Sequence, residues 1–99
     1  MKREYVIVNN EHKPMWSGCV LFWGHLTDDD EPRSFGGYTN CLDKCEKYTK
    51  EELDDKGYGF PFYDGENESE FRNIPDICIK VKDLLNLSWL KEMHVVYRP

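Results

Sequence analysis

Four cysteines and three histidines are the residues of this 99-residue chain best suited to holding a metal. Cys41 and Cys45 stand four apart, and on a helix positions i and i+4 share one face, near enough to hold one ion between them. The same spacing suits a disulfide poorly, because that bridge demands a geometry that a regular helix does not supply. Two thiolates are half of a tetrahedral zinc site. Cys19 and His25 are expected to complete a Cys3His set from the neighbouring strands. A straight strand would separate them by about 20 Å, so the chain must bend at Gly18 or Gly24 for both to reach one ion. His12 is a substitute ligand from the adjacent turn, and Cys78 is a substitute for Cys19. Such a zinc is structural, since four protein ligands leave no position open for water, and stapling a small domain is reason enough for it. The competing reading makes Cys19 and Cys78 small apolar core residues and His25 a surface group.

A second constellation is acidic. Asp28, Asp29, Asp30 and Glu31 form one run, and Glu51, Glu52, Asp54 and Asp55 form another. Glu66, Glu68 and Glu70 make a third group. The first two are expected to imitate a line of phosphates and to occupy a basic nucleic-acid channel on a partner. The alternative is an ordinary solvated loop and an exposed helix face. Calcium is not indicated, because no EF-hand spacing with its central Gly is present. Nor does the chain carry a Gly-rich phosphate loop, a GxSxG elbow or an HExxH pair, so a binding protein is expected and not an enzyme.

Charge points the same way. Nineteen acidic residues against thirteen basic ones give a formal charge of −6. A chain of that sign is repelled by phosphate backbones, which argues against direct nucleic-acid binding. It is steered toward basic surfaces instead, and proteins that handle nucleic acid are rich in them. Residues 58–63, with Tyr58, Phe60, Phe62 and Tyr63, are either a protein-binding hot spot or a lid on a small core.

These residues need elements to position them. The length predicts one domain over residues 1–99 with a modest core that leans on three Trp, six Tyr and five Phe. Tyr5-Val6-Ile7-Val8 reads as a strand, and residues 15–26 read as two short strands or a bent one, interrupted at Gly18 and Gly24. Residues 27–37 read as a loop. Asn40 is a plausible cap for a helix over 41–47, and Thr49 with Glu52 makes a capping box for a second helix, closed by Gly57. Residues 64–73 read as an acidic loop and residues 77–81 as a strand. Ser88 is expected to cap a helix over 89–93, and residues 94–97 are expected to form a last strand. The predicted class is α+β: a small antiparallel sheet with two or three short helices. The opening residues carry no export signal and no apolar run is long enough for a membrane, so a reducing cytoplasm is expected.

The run Tyr5-Val6-Ile7-Val8-Asn9-Asn10, then Met15-Trp16-Ser17-Gly18, then the stretch from Gly37-Tyr38-Thr39 to Tyr48-Thr49-Lys50-Glu51-Glu52 has a recurrent rhythm. It resembles small proteins encoded by bacteriophages and integrated elements, in which a Trp-bearing strand pair leads to a "GYT..L..A..YT.EE" segment. This chain departs from it in Cys45, where such proteins carry Ala, and in the Asp-rich insertion after Leu26. Small size, acidity and a phage-like rhythm are similar in kind to the anti-CRISPR proteins. That resemblance implies a stoichiometric inhibitor in the bacterial host cytoplasm, with Cas9 as its partner. A Cas9 effector holds its guide–target duplex in positively charged channels that an anionic protein could block. A phage accessory protein, stabilised by zinc and bound to another host protein, is the alternative.

Overall fold

A computed structural model describes residues 3–10, 21–55, 58–66, 71 and 73–86. Its centre is a four-stranded antiparallel sheet in the order β3-β2-β1-β4. The strands are β1 (Tyr5–Asn9), β2 (Leu21–Trp23), β3 (Tyr38–Thr39) and β4 (Asp76–Lys80), joined by two short helices, α1 (Lys50–Asp55) and α2 (Val81–Leu85). The fold is therefore α+β, as the residue pattern predicts.

β1 pairs with β4 along its whole length, Tyr5 opposite Lys80 and Asn9 opposite Asp76. On its other edge β2 covers only Val8 and Asn9. Where β2 stops, Tyr48 takes over, exchanging backbone hydrogen bonds of 3.0 and 2.9 Å with Tyr5. The central strand is thus paired on both edges and packed on both faces, which explains its unbroken apolar run.

Alternation sorts the side chains. Val6 and Val8 face one way with Ile77, Ile79 and Phe22, and they pack with Leu42, Cys45, Phe71 and Leu84. Ile7 and Cys78, opposite each other in the register, face the other way and pack with Tyr48 and Leu53. A chain this short has two half-cores, one on each side of the sheet.

Several expectations are corrected in detail. Residues 41–47 are not a helix: a single turn closes on Cys41, whose carbonyl accepts from Lys44 and Cys45 at 3.1 Å each. The chain then runs on past Glu46 and Tyr48 to pair with β1, and that pairing stops a second helical turn from forming. Tyr38–Thr39 is a strand lying beyond the expected loop over 27–37. α2 begins at Val81, the residue at which the strand over 77–81 is expected to end. Phe71, in a stretch read as acidic loop, is fully buried. The capping box is as expected: the Thr49 N–H donates to Glu52 Oε1 at 2.8 Å and the Glu52 N–H donates to Thr49 Oγ1 at 3.1 Å. Such a cap is worth about 1 kcal/mol. The bend at Gly24 is also present, with φ at 77° directly after β2. Gly18, Gly57, the helix over 89–93 and the strand over 94–97 lie outside the described residues.

Candidate functional site: one acidic surface and an aromatic cluster

The acidic loop is built around a buried cation. Asp28 to Glu31 form a tight turn, the Glu31 N–H donating to the Asp28 carbonyl at 3.0 Å and the Asp28 N–H to Glu31 Oε1 at 2.9 Å. Arg33, whose side chain is 4% exposed, reaches back under this turn. Its Nη2 donates to the carbonyls of Asp28 at 2.6 Å and Glu31 at 2.9 Å. Its Nη1 donates to Glu46 Oε1 at 3.2 Å, and its Nε lies 3.8 Å from Glu52 Oε2.

Glu46 is completely buried. A carboxylate in that position is tolerated only if its lone pairs are filled. The Thr27 hydroxyl and N–H, the Ser34 N–H at 3.0 Å and the Lys47 N–H at 3.0 Å all donate to it, beside Arg33. Burial by itself pushes this carboxyl up, but the hydrogen bonds and the Arg33 charge outweigh it and hold the group below the usual carboxylate range. Tyr48 belongs to the same knot, its hydroxyl donating to the Ser34 carbonyl at 2.5 Å. Burial pushes that hydroxyl up, and the Glu46 charge adds to the effect.

Glu52 joins the loop to α1. Besides its capping bond it accepts from Arg3 Nε at 3.1 Å and Arg3 Nη2 at 3.0 Å, while Arg3 Nη1 donates to Asp29 at 2.9 Å. Burial pushes the Glu52 carboxyl up, and the Arg3 and Thr49 hydrogen bonds overcome this to leave it lowered. Arg3 and Arg33 therefore bind two acidic segments that lie 20 residues apart into a single surface. Asp28, Asp29, Asp30, Glu31, Glu51, Asp54 and Asp55 are exposed on it. Glu52 is not among them, because its carboxylate is taken up in holding the surface together. That corrects the expectation that all four acids of α1 are displayed.

Of the expected metal ligands, His25, Cys41 and Cys45 are among the described residues. Among the described residues no three His, Cys, Asp or Glu side chains converge to hold a metal ion. His25 is exposed, and its Nδ1 lies 2.8 Å from Ser34 Oγ. Cys41 and Cys45 are buried, and the Cys45 thiol donates to the Leu42 carbonyl at 3.2 Å. Cys78 packs on the opposite face of the sheet from Cys45, so the two cannot share an ion. Burial pushes the Cys45 thiol up to about 11 and the Cys78 thiol up to about 12. Cys19 and His12 lie outside the described residues.

The Ser34–His25 contact has the distance of a nucleophile and its base, but its surroundings give it another role. Ser34 is buried, and its Oγ also accepts the His25 backbone N–H at 3.2 Å. The pair ties the loop to the end of β2.

An aromatic cluster flanks α1. Trp23 meets Phe60 at 5.1 Å, Tyr38 at 5.7 Å and Tyr58 at 5.9 Å between ring centroids. Phe35 lies against Tyr48 at 4.9 Å and Tyr58 at 5.2 Å. Trp23, Phe35 and Phe60 pack on the half-core that contains Leu53 of α1, whereas Tyr38 and Tyr58 are 45% and 52% exposed. Asp76 accepts the Trp23 indole N–H at 2.8 Å and so fixes the orientation of the ring. The sequence reading found the ring-bearing segment 58–63 but not its partners Trp23, Phe35 and Tyr38. It also missed Arg3, Arg33 and Glu46. The available signal was Arg33 itself, a lone cation two residues after the end of an acidic run.

The chain matches no protein-family model, no curated protein and no solved structure. No helix among the described residues is long and apolar enough to cross a membrane.

Proposed function

We propose that this chain is a stoichiometric binding protein that docks its acidic surface onto a basic, nucleic-acid-handling surface of a partner. The observation that carries the reading is the joining of the 28–31 turn and α1 by Arg3 and Arg33. Two buried or half-buried cations are spent on organising the surface from beneath, which leaves seven carboxylates outward. Scattered solubilising charge needs no such scaffold. Asp54 and Asp55 support the reading further. They occupy the last turn of α1, where no basic residue is present. Acids there oppose the helix dipole, a local cost of about 0.3–1 kcal/mol that stability alone does not explain.

A docked surface of this sign gains speed and specificity from complementary charge. Cas9 is the partner that the phage-like rhythm and acidity suggest, in the bacterial host cytoplasm, and its positively charged nucleic-acid channel has the matching chemistry. The test is target cleavage by purified, guide-loaded Cas9 with a molar excess of the protein, varying the order of addition. Inhibition that is lost in a Glu51→Lys/Asp54→Lys/Asp55→Lys variant of unchanged stability is the expected result. No inhibition of several Cas9 orthologues removes Cas9 as the partner. Inhibition that survives the triple reversal removes the acidic surface as the means.

A further inference from the structure

We infer that the aromatic cluster beside α1 is an arginine-reading half of the docking surface, with Tyr38 and Tyr58 as the residues that stack on guanidinium groups of the partner. The inference rests on the acidic-surface reading and goes beyond it, because charge alone does not distinguish arginine from lysine.

Tyr38 and Tyr58 come from distant parts of the chain, the edge strand β3 and the segment after α1, yet both rest on Trp23. About half of each residue is open to solvent. Their inner contacts are rigid: Trp23 is held by Asp76, and Tyr58 lies parallel to Phe60 at 13°. Rings that are pre-oriented in this way lose little entropy when a partner lands on them. Leu53 places α1 against the same cluster, so the exposed Glu51, Asp54 and Asp55 belong to the element that borders it.

Half-exposed rings on the half-core that also carries an acidic helix suit a cation that is flat and weakly hydrated. A guanidinium can stack on a ring and still donate its in-plane N–H groups to a neighbouring carboxylate. A lysine ammonium is compact and strongly hydrated, and it gains less from the ring. The occupant is therefore an arginine-bearing basic segment of a protein partner.

The probes are oligo-arginine and oligo-lysine peptides of equal length, titrated calorimetrically into the full chain. Wild type is expected to bind the arginine peptide about three- to thirty-fold more tightly than the lysine peptide. Tyr58→Ala and Tyr38→Ala should each reduce that ratio toward one, weakening the arginine peptide more than the lysine peptide. Thermal melting of both variants guards against a packing loss, and Tyr58→Phe, which keeps the ring, should retain the preference. The triple reversal at Glu51, Asp54 and Asp55 should weaken both peptides together. Equal affinity of wild type for the two peptides, or an undiminished ratio in both alanine variants, overturns the inference and leaves the acidic-surface reading intact. Failure of both peptides to bind wild type overturns the inference and the acidic-surface reading together.

Discussion

Glu46 is the residue on which the acidic loop depends most. Removing one partner of a buried ion pair strands the other, at a typical cost of several kcal/mol. Glu46→Gln keeps the volume but leaves Arg33 short of a counter-charge. It is expected to lower unfolding free energy by about 3 kcal/mol in chemical denaturation. The same residue governs acid stability. Glu46 and Glu52 both have carboxyls lowered in the folded state. Their contribution is complete above the ordinary carboxylate range near 4.3 and is lost as pH falls through the lower folded values. Stability measured against pH should therefore drop on the acid side, and Glu46→Gln should flatten that limb. An identical limb in the variant would assign the loss to other groups. The thiols give a second test at this scale. With Cys45 near 11 and Cys78 near 12, both are protonated at neutral pH and shielded by the core. Mass spectrometry after iodoacetamide treatment at pH 7.5 should find both unmodified in native protein and alkylated after denaturation. Rapid native alkylation of either would contradict its placement in the core.

At the scale of elements, the turn after β2 has the least tolerance. A Cβ on Gly24 would lie 2.6 Å from the Ser34 carbonyl oxygen, 2.9 Å from Glu46 Cβ and 3.0 Å from the Tyr48 hydroxyl, at a φ of +77°. The nearest atom is backbone and cannot swing aside. Gly24→Ala should cost about 2–4 kcal/mol, combining backbone strain with overpacking. A thermal melt within a degree or two of wild type would show that the turn relaxes easily. Much of this element scale is legible in the residues. Val, Ile and Tyr mark β1, Ile and Cys mark β4, and the Thr49/Glu52 capping box sets the start of α1 to the residue. The failure over 41–47 has a physical cause. The i, i+4 cysteine spacing is a local signal, and the backbone pairing of Tyr48 with Tyr5, 43 residues away, overrides it. The short strand at Tyr38 and Thr39 exists only because β2 offers it an edge, which no local propensity records.

At the scale of the molecule, the two acidic runs were readable as charge but not as one surface, because Arg3 and Arg33 meet them only in three dimensions. Triple reversal at Glu51, Asp54 and Asp55 touches exposed side chains alone, so the melting temperature should hold while binding to a basic partner weakens by tenfold or more. Wild-type binding should also weaken between low and physiological salt, and the variant should show a shallower dependence. A variant with full affinity would shift the interface to another face.

Arg33 grips the acidic turn by the carbonyl oxygens of Asp28 and Glu31, atoms common to every amino acid. The path of the turn is thus largely independent of which side chains stand at positions 28 and 30. A lineage facing a changing target can rewrite those letters one at a time without paying in foldedness at each step. The turn is a mount on which different contact chemistries can be exchanged, and the invariant parts of such a protein should be sought beneath its surface, at Arg33 and Glu46, before they are sought at the points of contact.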